Sequence, residues 1–157
     1  MSPYTINQYQ QNQISTASPE QILLMLYDGA IRFTRRAISG VEENKPELRR
    51  SGVSKTMAII SEFSNSLNHE IGGKIAEDLD ALYDFMIREL TSANLHNDIK
   101  KLKVVEKLLL ELRQTWGEAV ELDKKVMVAD MVARNQSTSD QSAAIQPDVY
   151  RPFAISR

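Results

Sequence analysis

The chain has 157 residues, 42% of them hydrophobic, and a formal net charge of −2, which predicts one soluble domain with an apolar core. It contains no cysteine, so disulfides, thiolate metal sites and cysteine nucleophiles are excluded. Acidic and basic residues are interspersed, and the basic face that nucleic-acid binding requires is missing. Because the sequence shows neither a membrane-spanning stretch nor a secretory signal pattern, we expect a cytoplasmic protein without membrane insertion.

Residues 1–17 carry no charge and are rich in asparagine and glutamine. Such a composition cannot build a core by itself, so we expect a flexible N-terminal arm. Ile6 and Tyr9 are three residues apart and would share one face of a helical turn. The residues alone leave open whether the arm is a disordered tail or lies against another surface.

The first helix has a clear beginning. Ser18 is a candidate N-cap, Pro19 occupies the first helical position, and Gln21 completes a capping-box pattern. Apolar residues at three- and four-residue steps predict a helix that continues to about residues 41–43. Its small residues Gly29 and Ala30 would let a neighbouring helix approach closely.

Three further helices follow in the apolar pattern. The second is predicted from Pro46 to about Ile71, and the Gly72–Gly73 pair ends it, because a glycine can adopt a left-handed backbone conformation there. The third is predicted over residues 74–93. The fourth begins after Asn97, its predicted N-cap, and its periodicity continues weakly to residue 131.

Four amphipathic helices with short connections predict an all-α fold, an antiparallel four-helix bundle over residues 18–132. Residues 133–157 are polar and rich in serine and glutamine, and we expect a flexible C-terminal tail. Several helices carry two neighbouring apolar stripes. Either the core is broad, or part of this surface is a groove for an amphipathic partner helix, and periodicity alone does not decide between them.

The sequence does not predict catalytic chemistry. Neither of the two histidines belongs to a Glu-x-x-His pair, which a metal site in a helix bundle would use. The Gly72–Gly73 pair is not part of a phosphate-binding loop. We therefore expect a binding protein with no catalytic residue, metal or cofactor.

Several segments resemble one family when they are taken together. Residues 16–19 (TASP) and 24–30 (LMLYDGA) resemble the first-helix signature of FliS proteins, the flagellin export chaperones. The third and fourth helices of that family are similar to three further segments, residues 72–76 (GGKIA), 82–86 (LYDFM) and 112–116 (LRQTW).

The resemblance implies a four-helix bundle that binds the disordered C-terminal segment of flagellin in the cytoplasm and prevents premature polymerisation. It also implies assistance in delivering flagellin to the cytoplasmic domain of the type III export gate. A weak homodimer stays open. Two alternatives are an all-α enzyme of the chorismate-mutase type and a self-assembling structural bundle.

Partner-binding residues follow from the same resemblance. Ile6 and Tyr9 match an Ile-x-x-Tyr element that covers the bundle when flagellin is absent and contacts partners in complexes. Candidates for the groove, taken from the second apolar stripes, are Tyr27, Ile60, Tyr83, Ile87 and Leu108. Residues 121–157 extend beyond the usual end of the family, and the resemblance assigns them no role.

Overall fold

The computed structural model describes residues 17–134 and 149–150. The first range forms four helices, α1 (Pro19–Glu42), α2 (Pro46–Ser66), α3 (His69–His96) and α4 (Ile99–Ala133). Each helix packs against the next, and α1 also packs against α4. Short connections between neighbours make this an antiparallel bundle. The predicted all-α four-helix bundle is confirmed; within the described ranges, strand pairing is limited to one isolated bridge, Leu67 with Tyr150.

The beginning of α1 agrees with the sequence pattern. The backbone N–H of Gln21 donates to the Ser18 hydroxyl at 3.2 Å, and the backbone N–H of Ser18 donates to the Gln21 side chain at 3.1 Å. This reciprocal capping box satisfies two N–H groups that would otherwise lack an intrahelical partner. The helix ends at Glu42, within the predicted range.

The junction between α2 and α3 differs from the prediction. The second helix ends at Ser66 rather than near Ile71, because Leu67 and Asn68 have extended backbone conformations (ψ 133° and 96°). The Asn68 side chain then accepts from the backbone N–H of Ile71 at 3.2 Å and begins a new helix. Gly73 has the expected positive φ, 50°, but it interrupts the first turns of α3 rather than closing α2.

The cap of the fourth helix was also predicted one residue too early. Asn97 has φ 53° and ψ 38°, the left-handed conformation that closes α3. Asp98 is the N-cap of α4, where its carboxylate accepts from the backbone N–H groups of Lys100 and Lys101 at 3.1 and 3.3 Å. The Asn97 side chain instead accepts a hydrogen bond from Arg49 of α2.

Helices α1 and α2 come into close backbone contact at glycines other than the predicted Gly29. A methyl group on Gly40 would lie 2.3 Å from the backbone nitrogen of Arg49, and one on Gly52 would lie 2.6 Å from the backbone nitrogen of Ala37. At Gly29 the nearest atom would be 3.5 Å away, an ordinary contact. Gly40 and Gly52 therefore set the separation of α1 and α2.

Candidate partner-binding surface

Three tyrosine hydroxyls meet in the interior of the bundle, and we call these residues the tyrosine cluster. The hydroxyls of Tyr27 (α1) and Tyr83 (α3) are hydrogen-bonded at 2.7 Å. Tyr150, which is far away in the sequence, adds a third hydroxyl that bonds to Tyr83 and lies 3.5 Å from that of Tyr27. The cluster thus joins the C-terminal part of the chain to the helices.

Aromatic rings surround the tyrosine cluster. Phe63 of α2 stacks on Tyr27 with ring centroids 4.3 Å apart and lies 6.5 Å from Tyr150. Trp116 of α4 meets Tyr150 edge to face at 5.1 Å. The ring of Tyr150 therefore occupies a pocket to which all four helices contribute an aromatic residue. Stacked and edge-to-face ring contacts of this kind are favourable.

Burial raises the pKa of all three tyrosines in this cluster. The pKa of Tyr83 is well above the ordinary value of 10.0, because burial disfavours the charged phenolate and the two neighbouring phenols add to the effect. Burial likewise raises the pKa of Tyr27 and of Tyr150. The three side chains are therefore neutral hydrogen-bonding groups at physiological pH.

The backbone around Tyr150 is held at the junction of α2 and α3. The N–H of Asn68 donates to the carbonyl of Val149 at 2.7 Å, and Leu67 pairs with Tyr150 in the antiparallel bridge. Gly72 also gives Val149 room, since a methyl group there would lie 3.0 Å from Val149 Cγ1. Val149 and Tyr150 were assigned to the flexible tail, yet both are buried against the bundle.

The predicted groove residues do not form one surface. Tyr27, Ile60 and Tyr83 are completely buried in the core, because each lies on the inward-facing side of its helix. A partner can touch them only where another group leaves the core. Ile6 and Tyr9 lie outside the described residues.

Ile87 and Leu108 are both half-buried, but they lie on different sides of the bundle. Ile87 is seven residues after Asp80, which accepts a hydrogen bond from Ser64 of α2. Seven residues are about two helical turns, so Ile87 lies on the α2 side of α3. Leu108 is seven residues after Lys101, which pairs with α3, so it lies on the α3 side of α4.

Exposed apolar side chains line the boundary between α3 and α4. Lys101 of α4 pairs with Glu89 of α3 at 3.7 Å, which identifies the sides on which the two helices meet. Residues three or four positions apart share a helix side, so Phe85 lies beside Glu89 and Val104 lies beside Lys101. The same spacing extends the line, and we define the α3–α4 row as Ile75, Leu82, Phe85, Val104 and Leu108.

The α3–α4 row is open to solvent and continues along α4. Ile75, Phe85 and Val104 are exposed, and Leu82 and Leu108 are half-buried. Leu122, also exposed, is eighteen residues after Val104, which is five complete helical turns. It therefore extends the row by about 27 Å along α4.

Other chemistry is limited in the part of the chain that the structure describes. Among these residues, no group of three His, Asp or Glu side chains could hold a metal ion. No helix there is long and apolar enough to cross a membrane. What the described surface offers is apolar area flanked by charged side chains.

Comparison with known proteins shows the family. The family model described as "Flagellar protein FliS" matches residues 2–123. The flagellar secretion chaperone FliS of Bacillus subtilis is 36% identical over 124 residues, which are 79% of this chain and 90% of that protein. The chain belongs to the FliS family. FliS of Campylobacter jejuni is 37% identical over 112 residues (71% and 88%), and FliS of Salmonella typhimurium is 37% identical over 109 (69% and 81%).

FliS proteins are chaperones rather than enzymes, as the names of these relatives state. The expectation of a non-enzymatic protein is thereby confirmed, and the chorismate-mutase-like alternative is wrong. The FliS match ends at residue 123, so it includes the bundle and the α3–α4 row. Val149, Tyr150 and the last turns of α4 lie beyond it.

Sequence reasoning missed part of this surface. Phe85 was assigned no role, although its spacing from Leu82 and Glu89 is a readable signal. Val149 and Tyr150 were grouped with a polar tail; an adjacent aliphatic and aromatic pair in a stretch rich in serine and glutamine was the signal available for them.

Proposed function

We propose that this FliS-family chain is a cytoplasmic export chaperone for flagellin. It binds the disordered C-terminal segment of flagellin, prevents premature polymerisation and assists delivery to the cytoplasmic domain of the type III export gate. Membership of a family whose relatives are named flagellar secretion chaperones carries this proposal. The specific client and the gate are our inference.

The α3–α4 row supports a helical client. An amphipathic helix places its apolar face in a hydrophobic groove through residues at three- and four-residue steps. From Val104 to Leu122 the row extends about 27 Å, the length of a client helix of about 18 residues. Such a helix would cover the exposed side chains of Phe85 and Val104.

The energetics suit a segment that folds as it binds. Coupled folding and binding costs about 2–5 kcal/mol of the gross interaction energy. Apolar burial contributes about 25 cal/mol per Å², so a few hundred Å² of row surface offsets this cost before docking entropy is counted. We therefore expect affinity to depend on the whole segment rather than on one contact.

Calorimetric titration tests the client assignment. The full chain is titrated with full-length flagellin and with flagellin that lacks its C-terminal segment. We expect saturable binding to the first and at least a tenfold loss with the second. Equal binding to both, or binding to neither, would overturn the proposed function.

A matched pair of variants tests the site. Val104 and Leu110 are each 41% exposed on the same helix, but Leu110 lies three residues before Arg113, which pairs with Asp28 of α1. Val104→Ser should weaken flagellin binding, whereas Leu110→Ser should leave it unchanged. If both variants bind equally well, the row is not the docking surface.

Self-assembly is the second candidate, because an exposed apolar row also suits a second copy of the chain. Mass measurement in solution separates the two cases. We expect a monomer or a weak dimer that flagellin converts to a one-to-one complex. A stable oligomer that persists with flagellin present would favour the structural bundle.

Delivery to the gate needs its own test. The purified cytoplasmic domain of the export gate is mixed with the chaperone alone and with the chaperone–flagellin complex. We expect the gate domain to bind the complex. If it does not bind the complex, the delivery step of the proposal is wrong, while the client assignment stands.

A further inference from the structure

The pocket around Tyr150 consists of residues from the four helices, and its occupant comes from outside the region that matches FliS. Tyr27, Phe63, Tyr83 and Trp116 all lie within residues 2–123. Tyr150 lies beyond that region, yet it is buried, with only 8% of its surface exposed. The pocket and the residue that fills it thus belong to different parts of the chain.

Two backbone contacts hold the occupant within the part of the chain that the structure describes. One hydrogen bond joins Asn68 to Val149, and one isolated bridge joins Leu67 to Tyr150. This is the pattern of an extended segment that adds itself to exposed backbone groups, with a side-chain pocket providing selectivity. A second extended segment with an aliphatic and an aromatic side chain could make the same contacts.

The pocket does not need Tyr150 to satisfy its own polar groups. The hydroxyls of Tyr27 and Tyr83 bond to each other at 2.7 Å, so neither is left without a partner when Tyr150 leaves. Because an unpaired buried hydroxyl would be costly, this pairing makes departure of the occupant easier. Departure would uncover the rings of Phe63 and Trp116, which contact the ring of Tyr150, and the hydroxyls of Tyr27 and Tyr83.

The backbone of the occupant and the first residue of the α3–α4 row lie at the same end of α3. A methyl group on Gly72 would meet both Val149, at 3.0 Å, and Ala76, at 2.8 Å. Ala76 follows Ile75, which is the first residue of the row. Val149 therefore lies at the end of α3 that carries Ile75.

We propose that the Tyr150 pocket is a docking site for an extended segment with adjacent aliphatic and aromatic residues, which the chain's own Val149–Tyr150 fills in competition with the flagellin client. This inference rests on the proposed function. Departure of Val149–Tyr150 opens the pocket, which lies at the end of α3 that carries Ile75. It also gives two of the predicted groove residues, Tyr27 and Tyr83, a route to the client that their burial otherwise closes.

Two truncated chains test the competition. One ends at residue 148 and lacks the occupant; the matched control ends at residue 150 and keeps it. A pocket that is open one tenth of the time lowers apparent affinity tenfold, so the chain ending at 148 should bind the flagellin C-terminal segment about tenfold more tightly. The chain ending at 150 should bind like the full chain.

A full-length variant guards against loss of fold. Tyr150→Ala keeps every other residue, and circular dichroism verifies its helices. It should also bind more tightly than the full chain. Unchanged or weaker binding by both the 148 truncation and folded Tyr150→Ala would overturn the competition. If no protein binds, the proposed function fails and this inference with it.

Proteolysis of the full chain measures displacement directly. Chymotrypsin cleaves after tyrosine, and burial should protect the bond between Tyr150 and Arg151. Addition of the flagellin segment should increase cleavage there, as detected by mass spectrometry. Cleavage that stays unchanged or decreases at saturating client would show that Tyr150 stays in place and would overturn the proposal.

Discussion

Gly52 is the position where one added methyl group should disturb the bundle most clearly. In Gly52→Ala the new carbon would lie 2.6 Å from both the backbone nitrogen of Ala37 and the backbone oxygen of Phe33. Backbone atoms cannot rotate away, so α1 and α2 must separate. Overpacking of this kind costs about 1–3 kcal/mol, and alanine returns about 1 kcal/mol of helix propensity. With the cost at its upper end, we expect a net loss of about 2 kcal/mol.

Gly29→Ala makes the same chemical change on the neighbouring helix and serves as the control. Its new methyl would meet Ile59 at 3.5 Å, so only the propensity gain of about 1 kcal/mol applies. Urea unfolding followed by fluorescence of the single, buried Trp116 measures both variants. Gly52→Ala should also lower Tm by about 4–8 °C. Equal stability of the two variants, or a more stable Gly52→Ala, would refute the close backbone contact between α1 and α2 at Gly52.

Two other predictions follow from the described contacts, and a third from the expected N-terminal arm. Asp98→Ala should cost about 1 kcal/mol in urea unfolding, because α4 loses its N-cap, while Asp98→Asn should cost almost nothing; equal losses would contradict the capping role. Because burial raises the pKa of the clustered tyrosines above the ordinary 10.0 in the folded protein, their contribution to stability is fully present below pH 10. That contribution is lost as the pH rises further. The free energy of unfolding should therefore fall above pH 10 by about 1.4 kcal/mol per pH unit for each tyrosine that ionises only on unfolding; Tyr83→Phe should reduce this slope, and a flat profile would contradict it. If the N-terminal arm covers the groove, deletion of residues 1–15 should raise affinity for the flagellin segment in calorimetry, whereas lower affinity would show that the arm contributes contacts.

The fold was predictable where local chemistry decides it. The capping box at Ser18 and the apolar period of four helices are encoded within a few residues. The end of α2 was not predictable, because two glycines at 72 and 73 are a stronger local signal than Leu67. Leu67 and Asn68 are extended in a structure where two residues far away in the sequence hold them: Leu67 pairs with Tyr150, and the N–H of Asn68 donates to Val149.

The candidate site was predictable only in part. Leu108 belongs to the α3–α4 row, as the flanking stripe of α4 indicated. Tyr27 and Tyr83 were placed on a surface, because periodicity does not decide which of two neighbouring apolar stripes faces the core. The hydroxyl contacts of both residues with Tyr150 are long-range, and helical periodicity carries no information about them.

A methyl NMR titration tests the central claim most directly. The chain, with labelled leucine, isoleucine and valine methyl groups, is titrated with the isolated C-terminal segment of flagellin. Saturable shifts at Ile75, Leu82, Val104 and Leu108, with Leu110 unchanged, are the result that our account predicts. No saturable shift, or shifts at Leu110 while the row stays unchanged, would contradict it.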